Sequence, residues 1–423
     1  MQQIPNRALF TGDNLPILRG FNSDSADLVY LDPPFNSNKH YSAPVGSLAA
    51  GASFKDAWTL SDEDEAWHAA LKSHQPKLYA IIHAAGAVGG VGDKSYLIYM
   101  AIRIWELHRI MKDSGSIYLH VDPTMSHSLK LLMDAIFGKR CFRNEVIWCY
   151  QGRELSKKQY NKKHDVILYY SKSKNFVFNW EAIGAPLSES SRQAMSRHVD
   201  DAGRAFVLRY KDGGGFAPLS KDKSDETYRQ YVPEKIPPRD WVIIDYSRKN
   251  ERMGYPTQKP LALMDRIIKA SSNEGDTVLD PFCGCATTCV AAEVLHRKWI
   301  GIDISPKALE LVKMRLGKEV LGAGKVFTGE VVHRTDIPHR TDIPRITRSD
   351  AAIRKMLYGN QAGICNGCGL HFQIQNFERD HIVPTSKGGP GIMENFQLLC
   401  GNCNRIKGDR TMEYLKARLR EIK

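Results

Sequence analysis

The tetrapeptide Asp32-Pro33-Pro34-Phe35 follows Asp27–Leu31, a short, largely apolar run that reads as a buried parallel strand. Two prolines cannot continue a strand ladder, so the chain leaves the sheet at this carboxylate. The arrangement suits one kind of chemistry. An exocyclic amine on an aromatic ring is a poor nucleophile, because its lone pair is delocalised. Asp32 can accept one of its N–H bonds and the Pro33 carbonyl the other. The fixed φ of the prolines holds that carbonyl outward. Phe35 offers a face on which an extruded ring can stack. Taken alone, Asp-Pro-Pro is also an ordinary turn composition.

A second chemical run is Asp280-Pro281-Phe282-Cys283-Gly284-Cys285-Ala286-Thr287-Thr288, between a strand at 277–280 and a helix at 286–296. Gly284 lets a ligand approach the backbone at the helix N-terminus. About twenty residues on, a strand at 299–303 ends in Asp303, where an acidic side chain suits the two hydroxyls of a ribose. Both runs end strands of an α/β pattern, and in such sheets ligands bind beyond the carboxyl ends.

A third group is Cys365, Cys368, Cys400 and Cys403, two C-x-x-C pairs among nine cysteines. That is four-thiolate zinc spacing rather than a disulfide framework. A module of this size needs such a staple.

The elements that must position these residues form an interrupted α/β series. Helical spacing covers 96–112 and 126–137, with strands at 117–121 and 145–150. The pattern resumes with helices at 260–271 and 306–317. Alternation of this kind predicts a parallel sheet covered by helices. Residues 42–95 are rich in Ala, Gly and Ser and read as a long insertion or mobile loop. Residues 151–253 are polar, basic and punctuated by Gly and Pro. They read as an inserted recognition region. The expected domains are therefore 1–150 with 254–318, an insertion at 151–253, a linker at 319–350 and a C-terminal module at 351–423. The linker holds a tandem repeat, His333–Pro338 and His339–Pro344, too short for a solenoid.

Charge points to a partner. The 423-residue chain carries net +12, and residues 151–253 and 331–423 contribute +6 each. Two basic regions suit two contacts with a phosphate backbone. The hydrophobic share of 42% and charged share of 25% exclude a disordered chain. No apolar run approaches the roughly 18 residues of a membrane span. The opening residues lack the apolar core of a secretory signal, so a cytoplasmic location is expected.

Five segments in this order resemble the β-type amino-methylating DNA methyltransferases. They are Gly12-Asp13, Asp32–Phe35, Gly115–Pro123, Tyr255–Pro260 and Asp280–Thr288. The resemblance implies a Rossmann-like S-adenosylmethionine-dependent methyltransferase sheet with 151–253 as target-recognition insertion. It implies that Asp32, Pro33, Pro34 and Phe35 are catalytic. Asp13, Lys259, Asp280, Phe282, Gly284 and Asp303 would line the S-adenosylmethionine pocket. One departure is Ala286, where the family often has glycine and a methyl would crowd the cofactor. Asp rather than Ser at the head of the tetrapeptide favours adenine N6 over cytosine N4.

Between the cysteine pairs lie Asp380-His381-Ile382-Val383-Pro384 and Asn395, and Asn404 follows the second pair. This resembles the HNH nuclease family, a ββα fold around one divalent metal. The resemblance implies that His381 activates water, that Asn395 orients His381, and that Asp380 and Asn404 bind Mg²⁺ or another divalent cation. The four cysteines would hold structural zinc.

The expected substrate is double-stranded DNA, with no membrane. Oligomeric state stays open, a dimer included. The leading reading joins adenine-N6 methylation to an HNH endonuclease. Two others stand beside it: an N4-cytosine methyltransferase whose zinc module only binds DNA, and an RNA methyltransferase.

Overall fold

The computed structural model describes residues 4–422, except 38, 45, 57, 59–74, 153–155, 213–215, 223, 234, 247–250, 323–328, 343–348 and 390. The chain divides into two compact units, residues 1–177 with 240–423, and residues 178–239.

The first unit is built on strands and helices in this order: β1 (Ala8–Thr11), α1 (Asn14–Arg19), β2 (Ala26–Leu31), β3 (Lys39–Ser42), β4 (Ser53–Asp56), α2 (Pro76–Gly89), α3 (Val91–Ile110), β5 (Met111–Val121), α4 (Ser126–Phe137), β6 (Phe142–Cys149) and β7 (His164–Ser171). The second unit holds α5 (Trp180–Ile183), β8 (Ala185–Pro186), α6 (Glu189–Met195), β9 (His198–Val199), β10 (Ala205–Tyr210), β11 (Thr227–Tyr231) and β12 (Lys235–Ile236). In it β10 pairs antiparallel with both β9 and β11. The first unit resumes with β13 (Trp241–Ile243), α7 (Leu261–Ser271), β14 (Thr277–Asp280), α8 (Thr287–Val294), β15 (Lys298–Asp303), α9 (Lys307–Gly322) and β16 (Val332–Arg334).

One nine-stranded sheet runs in the order β13-β6-β7-β5-β2-β14-β15-β1-β16. β2, β14, β15 and β1 pair in parallel, and β7 lies antiparallel between β6 and β5. The central strands are apolar throughout because both faces are covered. On one face Leu97, Ile98, Ala101, Ile104 and Leu107 of α3 pack with Leu129, Leu132 and Met133 of α4. On the other, Leu263, Met264 and Ile267 of α7 join Val290 of α8 and Val312 of α9. β2 and β14 are neighbours, so Asp32 and Asp280 emerge side by side at the carboxyl edge.

The sheet corrects the boundaries read from sequence. β7 and β13 both lie inside the span 151–253 yet belong to the central sheet. The separately packed part is narrower, 178–239. Val166–Tyr170 is a buried apolar strand whose lysine-rich approach hides it in a composition count. Residues 42–95 are likewise no plain loop. They contain the β3–β4 hairpin and α2, while 59–74 lies outside the described residues.

The linker span also joins the fold. β16 extends the sheet by pairing in parallel with β1. Each copy of the repeat closes an internal ion pair, Arg334 with Asp336 and Arg340 with Asp342. The first copy forms the sheet edge. The second bonds the turn after α1, where Thr341 N donates to Asn22 and Asp342 accepts from Ser23 N.

The C-terminal module comprises α10 (Asp350–Asn360), the antiparallel pair β17 (Phe377–His381) and β18 (Phe396–Cys400), α11 (Gly401–Lys407) and α12 (Met412–Glu421). Its own core includes Ile353, Leu357, Phe377, Leu398, Leu399 and Leu415. The turn before Gly389 rests on α1: a Cβ at Gly388 would lie 2.5 Å from the Pro16 carbonyl oxygen. Among the described residues, no helix is long and apolar enough to cross a membrane.

Candidate active sites

A cavity of about 600 Å³ opens at the carboxyl edge of the sheet. All ten residues expected there, catalytic and cofactor-lining, line it. The β3–β4 hairpin adds Tyr41, Phe54 and Asp56 to its rim. Asp56 is buried and accepts from Asn36 N and from the backbone and hydroxyl of Ser37, fixing the chain just after the tetrapeptide.

Asp32 does not stand free. Lys259 Nζ donates to its Oδ1 at 2.7 Å and Oδ2 at 2.6 Å. The lysine side chain is only 6% exposed. Lys259, expected to line the cofactor pocket, lies at the cavity wall with its ammonium on Asp32. Phe35 stacks on His120 with centroids 5.9 Å apart and planes 19° apart. His120 is buried, and its ring bonds Tyr30 Oη at 2.8 Å and Asp165 Oδ2 at 3.0 Å. Burial, then the charge of Lys259, holds its pKa below the ordinary value. A neutral ring donates one N–H and accepts one, which matches a hydroxyl on one side and a carboxylate on the other.

Sequence reasoning did not find His120 and Asp165. The signal was there: each is a polar residue inside an otherwise apolar strand, IYLHV and DVILYY. A buried polar group must be paired, so two such residues on adjacent strands are candidates for each other.

The remaining cavity residues are held by backbone. Asp13 caps α1 through Leu15 N at 3.0 Å and accepts from Arg103 Nη2 at 2.8 Å. Asn14, bonded by the same arginine, donates to Pro281 O at 2.8 Å and ties α1 to the loop after β14. Asp303 Oδ2 accepts from Gly284 N and Oδ1 from Ser305 N, both at 2.7 Å. Burial pushes its carboxyl up. Asp280 is fully enclosed and accepts from Phe282 N at 3.0 Å; burial raises its pKa to about 7. Gly284 sits at φ +50°, where a Cβ would meet the Tyr255 ring at 3.0 Å. Ala286 takes φ 56°, ψ 38°. A left-handed alanine costs about 1 kcal/mol, which gives a backbone reason for the family's glycine, distinct from the crowding inferred from sequence.

In the C-terminal module the four cysteines converge. Their sulfurs all lie within 4.8 Å of one another, with Cys368 and Cys400 Sγ 4.0 Å apart. Tetrahedral zinc thiolates at 2.3 Å imply sulfur separations of about 3.8 Å, so the set fits the metal. Among the described residues this is the one cluster of three or more His, Cys, Asp or Glu able to close on a metal.

The expected nuclease residues are arranged differently. Asp380 and His381 end β17, and His381 packs against Phe396 at 4.8 Å. Burial and then Arg379 hold the His381 pKa below the ordinary value. Asp380 is engaged by Lys407 Nζ at 3.1 and 3.0 Å and by Gln397 Nε2 at 2.8 Å. Lys407 is fully buried and also donates to His381 O at 2.8 Å. Asn404 donates to Glu378. Asp380 and Asn404 thus have separate hydrogen-bond partners. Asn395 bonds the Val383 backbone at 2.8 and 3.0 Å and so fixes the loop after His381.

Comparison with known proteins agrees with both halves. Residues 26–314 match the DNA methylase family and residues 365–410 the HNH endonuclease family. The type II methyltransferase M.EcaI of Enterobacter cloacae is 27% identical over 365 residues, 75% of this chain and 71% of that protein. The DNA adenine methyltransferase YhdJ of Escherichia coli K12 is 26% identical over 316 residues, 73% of this chain and 82% of that protein. Among solved structures, the PvuII DNA methyltransferase (cytosine-N4-specific) aligns over 73% of this chain and 88% of its own, with TM-score 0.42 and 15% identity. The chain belongs to the DNA methylase family and carries an HNH endonuclease domain at its C-terminal side.

Proposed function

We propose that this protein transfers a methyl group from S-adenosylmethionine to N6 of adenine in double-stranded DNA. The carrying observation is one cavity lined by Asp32, by the loop at Gly284 and by Asp303. The residues present fit the cofactor: Asp303 is fixed by two backbone N–H groups, and Gly284 keeps the loop free of a side chain. When bound, S-adenosylmethionine supplies a methyl group on an electron-poor sulfur.

The chain's own residues prepare the amine. Asp32 and the Pro33 carbonyl accept its two N–H bonds and localise the nitrogen lone pair. Lys259 must shift from at least one Asp32 oxygen for this to occur. Phe35, backed by His120, stacks the extruded base. Asp at the head of the tetrapeptide favours adenine, and the YhdJ relative bears an adenine-specific name. Residues 178–239, with the basic segments beside them, read the target. The experiment is transfer of tritiated methyl from the cofactor. Label should enter duplex DNA as N6-methyladenine; label in tRNA or rRNA alone overturns the reading.

The HNH domain is read as a cleaving module in which His381 activates water with Mg²⁺ or Mn²⁺. The hold of Lys407 on Asp380 favours a second reading, in which the zinc-stapled module grips DNA without cutting. Cleavage by wild type and not by His381→Ala supports the first. Equal cleavage, or none, supports the second.

A further inference from the structure

Five carboxylates line the cavity: Asp13, Asp32, Asp56, Asp280 and Asp303. They suit the sulfonium, the ammonium and the ribose of S-adenosylmethionine. They do not suit its carboxylate. The lining cations, Lys259 and Arg103, are committed, one to both oxygens of Asp32 and the other to Asp13 and Asn14.

Behind the wall lies another cation. Arg315 of α9 is completely buried. Its Nη1 donates to Cys285 O at 3.0 Å and to Thr287 Oγ1 at 2.7 Å, and both of those residues line the cavity. Its Nε and Nη2 have no hydrogen-bond partner, and no carboxylate pairs with it among the described residues. A buried, uncompensated guanidinium is costly. That cost is offset when a ligand brings negative charge to the adjoining wall.

We infer that Arg315 is a positioning residue for the cofactor, supplying through the Cys285–Thr287 segment the positive field that holds the carboxylate end of S-adenosylmethionine. The inference rests on the reading of the cavity given above. It explains why a charge with three of its five N–H donors idle sits one layer behind the cofactor loop.

The test is calorimetric binding to the full chain of S-adenosylmethionine and of decarboxylated S-adenosylmethionine, which differ only in the carboxylate. Wild type should prefer the carboxylate-bearing compound. Arg315→Met should lower that preference about tenfold, as expected for losing one charge at short range in a partly screened site. Its affinity for the decarboxylated compound should stay close to wild type. Arg315→Lys should keep most of the preference. If Arg315→Met does not fold, Arg315→Gln, which retains a donor for Thr287, carries the same expectation. Equal weakening of both compounds would show a structural role and overturn the inference. So would a preference abolished in Lys259→Met and intact in the Arg315 variants. Wild type binding neither compound would overturn the reading of the cavity itself.

Discussion

At the scale of single residues, the cavity is organised by pairing. Asp32 carries Lys259, Asp13 carries Arg103, and Asp303 carries two backbone N–H groups. Asp280 has a backbone donor and the Thr288 hydroxyl but no ion-pair partner among the described residues, and its carboxyl sits at about 7 instead of the ordinary 3.8. The native state therefore keeps a proton that the unfolded chain releases at lower pH. Stability from this group is full below about pH 4 and is lost as pH rises to about 7. Asp280→Asn removes the titration. The ligand-free variant should melt higher than wild type at pH 8, by on the order of 1–3 kcal/mol, and the gap should narrow at pH 5. A gap independent of pH would mean that Asp280 is not the titrating group. Residue types were the most legible part of the site. Asp32, Gly284 and Asp303 declare themselves by their place at strand ends. Their pairings were not legible, because partners such as Lys259 and Asp32 lie 227 positions apart.

At the scale of elements, strands with a strong apolar signature were readable. β2, β14 and β15 are short buried runs ending in chemistry. β7 was missed because polar, basic sequence surrounds it. α2 was missed because its Ala- and Gly-rich stretch has weak periodicity and only Leu78 and Ile82 buried. The C-terminal elements have a different logic. β17, β18 and α11 are short, and Cys400 stands at the N-terminus of α11. With α10 and α12 they enclose only a small core, which a cross-link stabilises. Chelation of a metal held by the four cysteines should loosen residues 351–422, seen as rapid hydrogen exchange there. Exchange in β2, β14 and β15 should stay slow, and methyl transfer should persist. Simultaneous loss of protection in the central strands would show that the module and the sheet fold as one.

At the scale of the molecule, one six-residue helix touches both candidate sites. The N-terminal end of α1 lies at the cavity through Asp13 and Asn14, and its later residues carry the turn at Gly388 that follows His381. The linker fastens this arrangement through β16 and the second repeat copy. An enzyme that both methylates and cuts one site competes with itself, unless methylation blocks cleavage or the two act at different sites. The basic segments at 151–253 and 331–423 each suit contact with a polyanion. The central claim is that Asp32 presents an adenine amine for methylation. Single-molecule sequencing of DNA from cells expressing the protein tests it most directly. Wild type should leave N6-methyladenine in one defined sequence context, and Asp32→Ala should leave none while still binding the cofactor by calorimetry. N4-methylcytosine in that context, or undiminished N6-methyladenine with Asp32→Ala, would contradict the account.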